Sequence, residues 1–229
     1  MNQKPKGVTQ ARTLTRPTLK TPRAAAVAGI VFSSLMIAIL WLLRQSVPAD
    51  PLEPGVWLQT NPSSVALAIH LVPFAGIAFL WFLGALRDRL GEEEDKFFAT
   101  VFFGSALLFM AMLFVAAALL GAIMLTHTAF PNTLQSSAAY PLVRAFVHGI
   151  IHVYAAKMAA VFMFSTSTVV IYATFAPRWL AYLGFMLGAL LLFGGGLFGW
   201  GLAVLPVWVL AISFCLLRPM PKAELIRDQ

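Results

Sequence analysis

Six apolar runs divide this chain, at 24–43, 65–86, 97–125, 142–176, 179–193 and 197–217, and none of them contains an aspartate or a glutamate. Apart from the shorter fifth run, each has about the 20 residues needed to cross a ~30 Å hydrocarbon core. Inside a bilayer the backbone must satisfy its own polar groups, so such runs fold as helices. Hydrophobic residues make up 60% of the chain and charged residues 11%, too few to cover a soluble fold of 229 residues when soluble domains carry ~25%. The expected fold class is all-α: a polytopic membrane protein with six transmembrane helices.

The formal charge of +7 is local. Lys4, Lys6, Arg12, Arg16, Lys20 and Arg23 fall in residues 1–23, which hold no acid, while the rest of the chain is nearly balanced. That segment is expected to be a disordered basic tail, because its Thr, Pro, Lys and Arg content supports no core. The run at 24–43 is longer than a signal-peptide core, and Pro48 spoils the cleavage site after it, so an uncleaved first span is expected. An acid-poor tail of this kind also fits an organelle transit peptide. Alternate loops carry thirteen basic residues on one face of the array and Arg44 alone on the other. The positive-inside rule then puts both termini in the cytoplasm, with 1–23 and 218–229 as cytoplasmic tails around a membrane domain at 24–217.

The connections have plain structural readings. In 87–96, Arg87 and Arg89 close one helix and Glu92 to Asp95 open the next, which suits the macrodipole at each end. The 44–63 loop, with Pro48, Pro51, Pro54 and Pro62, is expected to be a stiff solvated connection. Gly194, Gly195 and Gly196 are expected to form a tight turn between the fifth and sixth runs. Gly184 and Gly188 form a GxxxG that lets helices approach closely, within the fold or in a dimer. Pro73 and Pro206 each remove a helical hydrogen bond and predict kinks.

Few polar residues lie at membrane depth. Arg144, His148 and His152 repeat every four residues and share a helix face, continued by Ala155 and Ala159, so this stripe is expected to face the bundle interior. His70 and His127 are expected at a similar depth. Two histidines one turn apart chelate metals, and histidines from two helices hold haem, so His70, His148 and His152 are weak metal or haem candidates; hydrogen bonding between helices is the plainer explanation. Lys157 is the other anomaly. If 142–176 is one long helix, Lys157 lies near mid-bilayer with no carboxylate to pair with, a functional signal by default. If 141–156 is instead an interfacial helix and 159–176 spans alone, Lys157 only snorkels at the boundary. Ser165 to Thr168 are expected to bond back to their own helix.

There is no GxxxxGK[ST], no GxSxG, no GxGxxG followed by an acid and no cysteine cluster, Cys215 being the single cysteine. Soluble catalytic domains are excluded with them, and no cofactor is specified.

The segments Val72–Phe82, Arg87–Gly91, Asp95–Phe102 and Tyr154–Met163 resemble an uncharacterised family of bacterial multi-pass inner-membrane proteins of about six spans, over residues 22–217. That resemblance implies a bacterial inner membrane and no particular activity. It implies basic residues at Arg144 and Lys157 but no histidine at His148 and His152, and so points to Arg144, Tyr154 and Lys157 as ligand-binding candidates.

Three functions are left. The first is a non-catalytic binding or accessory protein, and the second a small transporter or channel for an anion or neutral solute using Arg144 and Lys157. The third is a haem- or metal-binding redox protein. The expected partners are the lipid bilayer and a second copy or another membrane protein, with no nucleic acid.

Overall fold

The computed structural model describes residues 21–53, 55–87, 96–131, 133–134, 137–173, 176–194 and 201–217. Helices occupy every apolar run within them: α1 (Thr21–Ser46), a short α2 (Trp57–Thr60), α3 (Pro62–Arg87), α4 (Lys96–Ala129), α5 (Ala139–Gly149), α6 (Ala156–Ala173), α7 (Arg178–Phe193) and α8 (Val204–Leu217). A π-helical turn, Ile150–Ala155, joins α5 to α6 without a break, and a 3-10 turn, Gly201–Ala203, leads into α8. No strand is present among the described residues. Four helical stretches, Ala24–Ser46, Pro62–Arg87, Ala99–Ala129 and Ala139–Tyr172, are long and apolar enough to cross a membrane; Arg178–Phe193 and Gly201–Leu217 are apolar but shorter.

Helix α1 begins at Thr21 and so takes in the last three residues of the segment expected to be disordered. Pro22 fits there because the first turn of a helix leaves its N–H groups unpaired anyway. Most of the basic tail, the acidic half of the 87–96 loop, Gly195, Gly196 and residues 218–229 lie outside the described residues. Of that charged loop, Arg87 ends α3 with its guanidinium 5.2 Å from the Phe103 ring centroid. Pro73 lies inside α3, whereas Pro206 sits where the 3-10 turn gives way to α-helix. The change of helix type thus accommodates the hydrogen bond that Pro206 cannot make.

Helix α1 packs chiefly on α3 and α8, and α6 on α7 and α4. Lipid is as apolar as leucine, so close packing rather than exclusion from water holds such helices together. Phe79 is the centre of that packing. Its ring lies 4.5 Å from Phe32, 5.9 Å from Phe109 and 5.3 Å from Phe162, and Phe162 in turn lies 5.3 Å from Phe102. All five rings are fully buried, and each such pair is worth about 0.5–1.5 kcal/mol beyond its area. Glycines allow the tightest crossings. A Cβ on Gly184 would meet Ser167 Oγ on α6 and the Trp208 ring on α8, and one on Gly29 would meet Ser213 Oγ and the Phe82 ring. The GxxxG on α7 is therefore spent inside the fold: Gly188 faces Phe164 and the Ala160 carbonyl of α6. Within the run at 165–168 the two threonines bond back, Thr166 Oγ1 to the Phe162 carbonyl (2.8 Å) and Thr168 Oγ1 to the Phe164 carbonyl (3.0 Å), whereas Ser167 Oγ is buried without a hydrogen-bond partner.

A second, smaller core lies at the end that holds the 47–61 connection. It gathers Trp57, Leu58, Val65, Leu120, Tyr140 and Val147. This loop end is where the polar residues meet.

Candidate functional site

The 44–63 connection is not simply a solvated spacer. Trp57 and Leu58 are buried, and the Trp57 indole N–H donates to Tyr140 Oη at 2.9 Å. One turn along α5 from Tyr140, Arg144 is 5% exposed. Its Nη2 donates to the carbonyl oxygens of Pro48 (2.9 Å) and Asp50 (3.2 Å), and its guanidinium carbon lies 5.8 Å from the Trp57 ring centroid. A guanidinium offers five N–H donors in a rigid fork, and here the fork ties the proline-rich loop to α5. Proline makes this workable. It fixes the backbone of the loop and removes N–H groups that would compete for the same carbonyls. Tyr140 acts on Arg144 both through space and by a side-chain hydrogen bond, and the carboxylates of Glu53 and Asp50 act on it through space. The Arg144 Nε–H is buried and has no acceptor.

Beside this arginine is a cavity of about 580 Å³. Its polar wall is Arg44, Asp50, Arg144, His148 and His152; Leu40, Leu43, Leu120, Ile151, Leu190 and Leu202 are among its apolar lining. A mostly apolar cavity of ~300–1,000 Å³ with a few convergent polar groups is the usual form of a small-molecule site.

The π turn explains why one polar stripe reaches so far along this wall. In a regular α-helix residues four apart drift by ~40° around the axis, so Arg144 and Ala156 would point in different directions. The wider π turn, with its i→i+5 bonding, takes up the drift. Arg144, His148, His152 and Ala156 consequently all line the cavity. The imidazoles of His148 and His152 stack with centroids 4.2 Å apart. His152 Nδ1 lies 3.1 Å from the His148 carbonyl; a carbonyl only accepts, so Nδ1 carries the proton and Nε2 is the ring's remaining polar atom.

The other candidates lie elsewhere. Tyr154 is 60% exposed and Lys157 is exposed, and neither lines the cavity. The expected trio of Arg144, Tyr154 and Lys157 is therefore not brought together. Lys157 follows Ala156, which shares the cavity with the last turns of α1 (Leu40, Leu43, Arg44) and of α7 (Leu190, Leu191, Gly194). Ile151, six residues earlier, packs beside Met36, Val72 and Leu113, near the middles of α1, α3 and α4, and Lys157 lies near the centre of the continuous stretch Ala139–Tyr172, where the long-helix expectation put it. The helix is continuous from Ala139 to Tyr172, as one of the two expectations had it.

The histidines do not assemble a metal or haem site either. His70 is exposed, with its Nδ1 bonded to the Ala66 carbonyl at 2.7 Å, and His127 does not line the cavity. Parallel stacking of His148 on His152 directs their ring nitrogens alongside each other rather than at one point, and a two-histidine haem would need His70 opposite them. No group of three or more His, Cys, Asp or Glu side chains suited to a metal occurs among the described residues.

Two parts of the site went unread in the sequence. Trp57 carried a signal, because a tryptophan in a proline-rich loop needs a buried place and a partner for its N–H. The π turn carried none.

The chain matches no protein-family model, no curated protein and no solved structure.

Proposed function

We propose that this chain is a six-span protein of a bacterial inner membrane, with both termini in the cytoplasm, that binds a small amphiphile without transforming it. The cavity beside Arg144 is the binding site and faces the outer leaflet. The observation that carries this reading is the cavity itself, with aliphatic walls and two arginines and two histidines on one side. Arg44 lies in the last turn of α1 and Asp50 in the loop after it, while Leu40 and Leu43 carry the wall further along the helix, which suits a molecule with a polar head and an apolar tail. The loop charges support the orientation. The role is that of a binding or accessory protein: among the described residues the cavity lining has no serine, cysteine or threonine to act as a nucleophile.

Native mass spectrometry tests it. The full chain in mild detergent, offered an equimolar mixture of palmitate and hexadecanol, is expected to retain one such molecule per chain. Ala203→Phe, which fills the cavity from the 3-10 turn, is expected to remove the adduct while the exposed Leu108→Phe leaves it. No adduct of either compound, or one indifferent to Ala203→Phe, contradicts the reading.

A second reading, passage of an anion or neutral solute, is favoured by the two arginines on the cavity wall. Lys157 has no part in it. Flux of the solute into proteoliposomes that falls in Arg144→Gln would select this reading over simple binding.

A further inference from the structure

We infer that a second, smaller cavity between α1, α3 and α4 is the seat of the amphiphile's tail end, so that the protein selects its ligand by the length of a single alkyl chain rather than by the charge of its head. This rests on the larger cavity being the binding site, as proposed above.

The charges of the polar wall are answered within the protein. Arg144 donates to the carbonyls of Pro48 and Asp50, bonds Tyr140 and is acted on by the carboxylates of Glu53 and Asp50. Arg44 has a partner too, and Asp50 Oδ1 accepts from the Leu52 N–H at 2.9 Å. The unpaired Arg144 Nε is buried, with no surface from which a bound molecule could reach it. What the wall offers an incoming head is the pair of imidazoles, His148 and His152, which bond a hydroxyl or a carboxyl group alike.

The tail has a more definite place. The smaller cavity, about 50 Å³, shares Leu40, Leu43, Leu120, Ile151 and Leu202 with the larger one, so the two spaces meet at these five side chains. Beyond them it reaches Met36, Val72, Leu113 and Ala117, and its lining is wholly apolar. Water finds no hydrogen-bond partner in such a space. A cavity of ~150 Å³ holds one benzene ring; a third of that suits the end of a single chain. Leu43, Leu40 and Met36 follow one another down one face of α1. Arg44 and Met36 stand about 12 Å apart along the helix axis, at ~1.5 Å per residue. A head level with Arg44 therefore puts the tail of a long chain beside Met36.

Lipid is as apolar as this lining, so the tail gains nothing by leaving it for the cavity on hydrophobic grounds. The gain is contact. Side chains around an unfilled space forfeit dispersion on that side, and filling about 50 Å³ is worth roughly three- to tenfold in affinity. A chain too short to pass the five shared side chains forgoes it.

The experiment sets chain lengths against one another. The full chain, in phosphatidylcholine nanodiscs holding equimolar decanoate, palmitate and stearate, is analysed by native mass spectrometry, with each adduct scaled to the amount of that acid in the discs. Palmitate is expected to be retained over decanoate by roughly three- to tenfold, and hexadecanol over decanol by the same factor. Ala117→Leu, whose added carbons enter the smaller cavity, is expected to bring palmitate and decanoate to parity while decanoate stays bound, so that retained decanoate also reports a folded cavity. Should Ala117→Leu not fold, Leu113→Ala, which deepens the same cavity, is expected to move the preference on from palmitate to stearate. Parity in the unaltered chain, or a preference that neither variant changes, overturns the tail site and leaves the cavity reading intact. A length preference shown by the acids and not by the alcohols overturns selection by the tail. Failure of every compound to bind removes the cavity reading itself.

Discussion

The two ends of this bundle are built on opposite rules. Around Phe79 the helices close on aromatic rings and on glycines with no room for a methyl group. At the loop end the helices diverge around about 580 Å³ of space, and a buried arginine, a proline-rich loop and a π turn hold the opening in shape. In lipid both arrangements need a source of cohesion other than the hydrophobic effect. The packed half uses dispersion and ring contacts. The open half uses hydrogen bonds to carbonyls, which hold position without filling volume.

That difference implies separable failures. Phe79→Ala has the largest expected effect, a loss of about 3–5 kcal/mol from removing a buried aromatic. Titrating SDS into micelles of the variant and following helical circular dichroism reads it. The loss is expected to leave amphiphile binding unchanged at low SDS, and a matching loss of binding would break the distinction between the halves. Gly184→Ala comes next. Its Cβ would press on the Trp208 ring and Ser167 Oγ, an overpacking cost of about 1–3 kcal/mol by the same assay. Gly84→Ala, where a Cβ meets nothing within 4 Å, is expected to be neutral or to stabilise by up to about 1 kcal/mol.

Tyr140→Phe moves the test to the loop end. It strips the Trp57 N–H of its acceptor and is expected to cost about 1–2 kcal/mol. Unlike the packing variants it is expected to weaken palmitate binding as well, because Trp57 also stacks near Arg144. Lys157→Met is the smallest: an exposed side chain outside the cavity, with an expected change within about 0.5 kcal/mol and no change in binding. A large loss from Lys157→Met would restore it to the site.

The sequence made the helices legible and the cavity mostly illegible. Apolar run length sets where a helix must be, so the runs at 24–43 and 65–86 correspond to α1 and α3 with only a few residues added at either end. The run at 142–176 put Lys157 near the middle of one long helix, and Ala139–Tyr172 is such a helix; what run length did not tell is that the Lys157 side chain is exposed there and away from the cavity. The stripe of Arg144, His148 and His152 was legible because polar residues on an apolar helix turn inward. Its reach to Ala156 was not, because a π turn leaves no mark on spacing. The carbonyls of Pro48 and Asp50 that hold Arg144 belong to the backbone, which no residue pattern displays. Gly184 and Gly188 announced close approach, yet whether α6 and α8 or a second copy would fill that space depended on the fold.

The most direct test of the central claim is to find where a bound amphiphile lies. Palmitate bearing a terminal diazirine, photolysed on the full chain in phosphatidylcholine nanodiscs and mapped by peptide mass spectrometry, is predicted to label the cavity wall, around Leu43, Ile151, Leu190 and Leu202, and to lose that labelling in Ala203→Phe. Labels spread over the exposed faces at Phe74, Trp81 and Leu108, and unchanged by Ala203→Phe, would contradict the account.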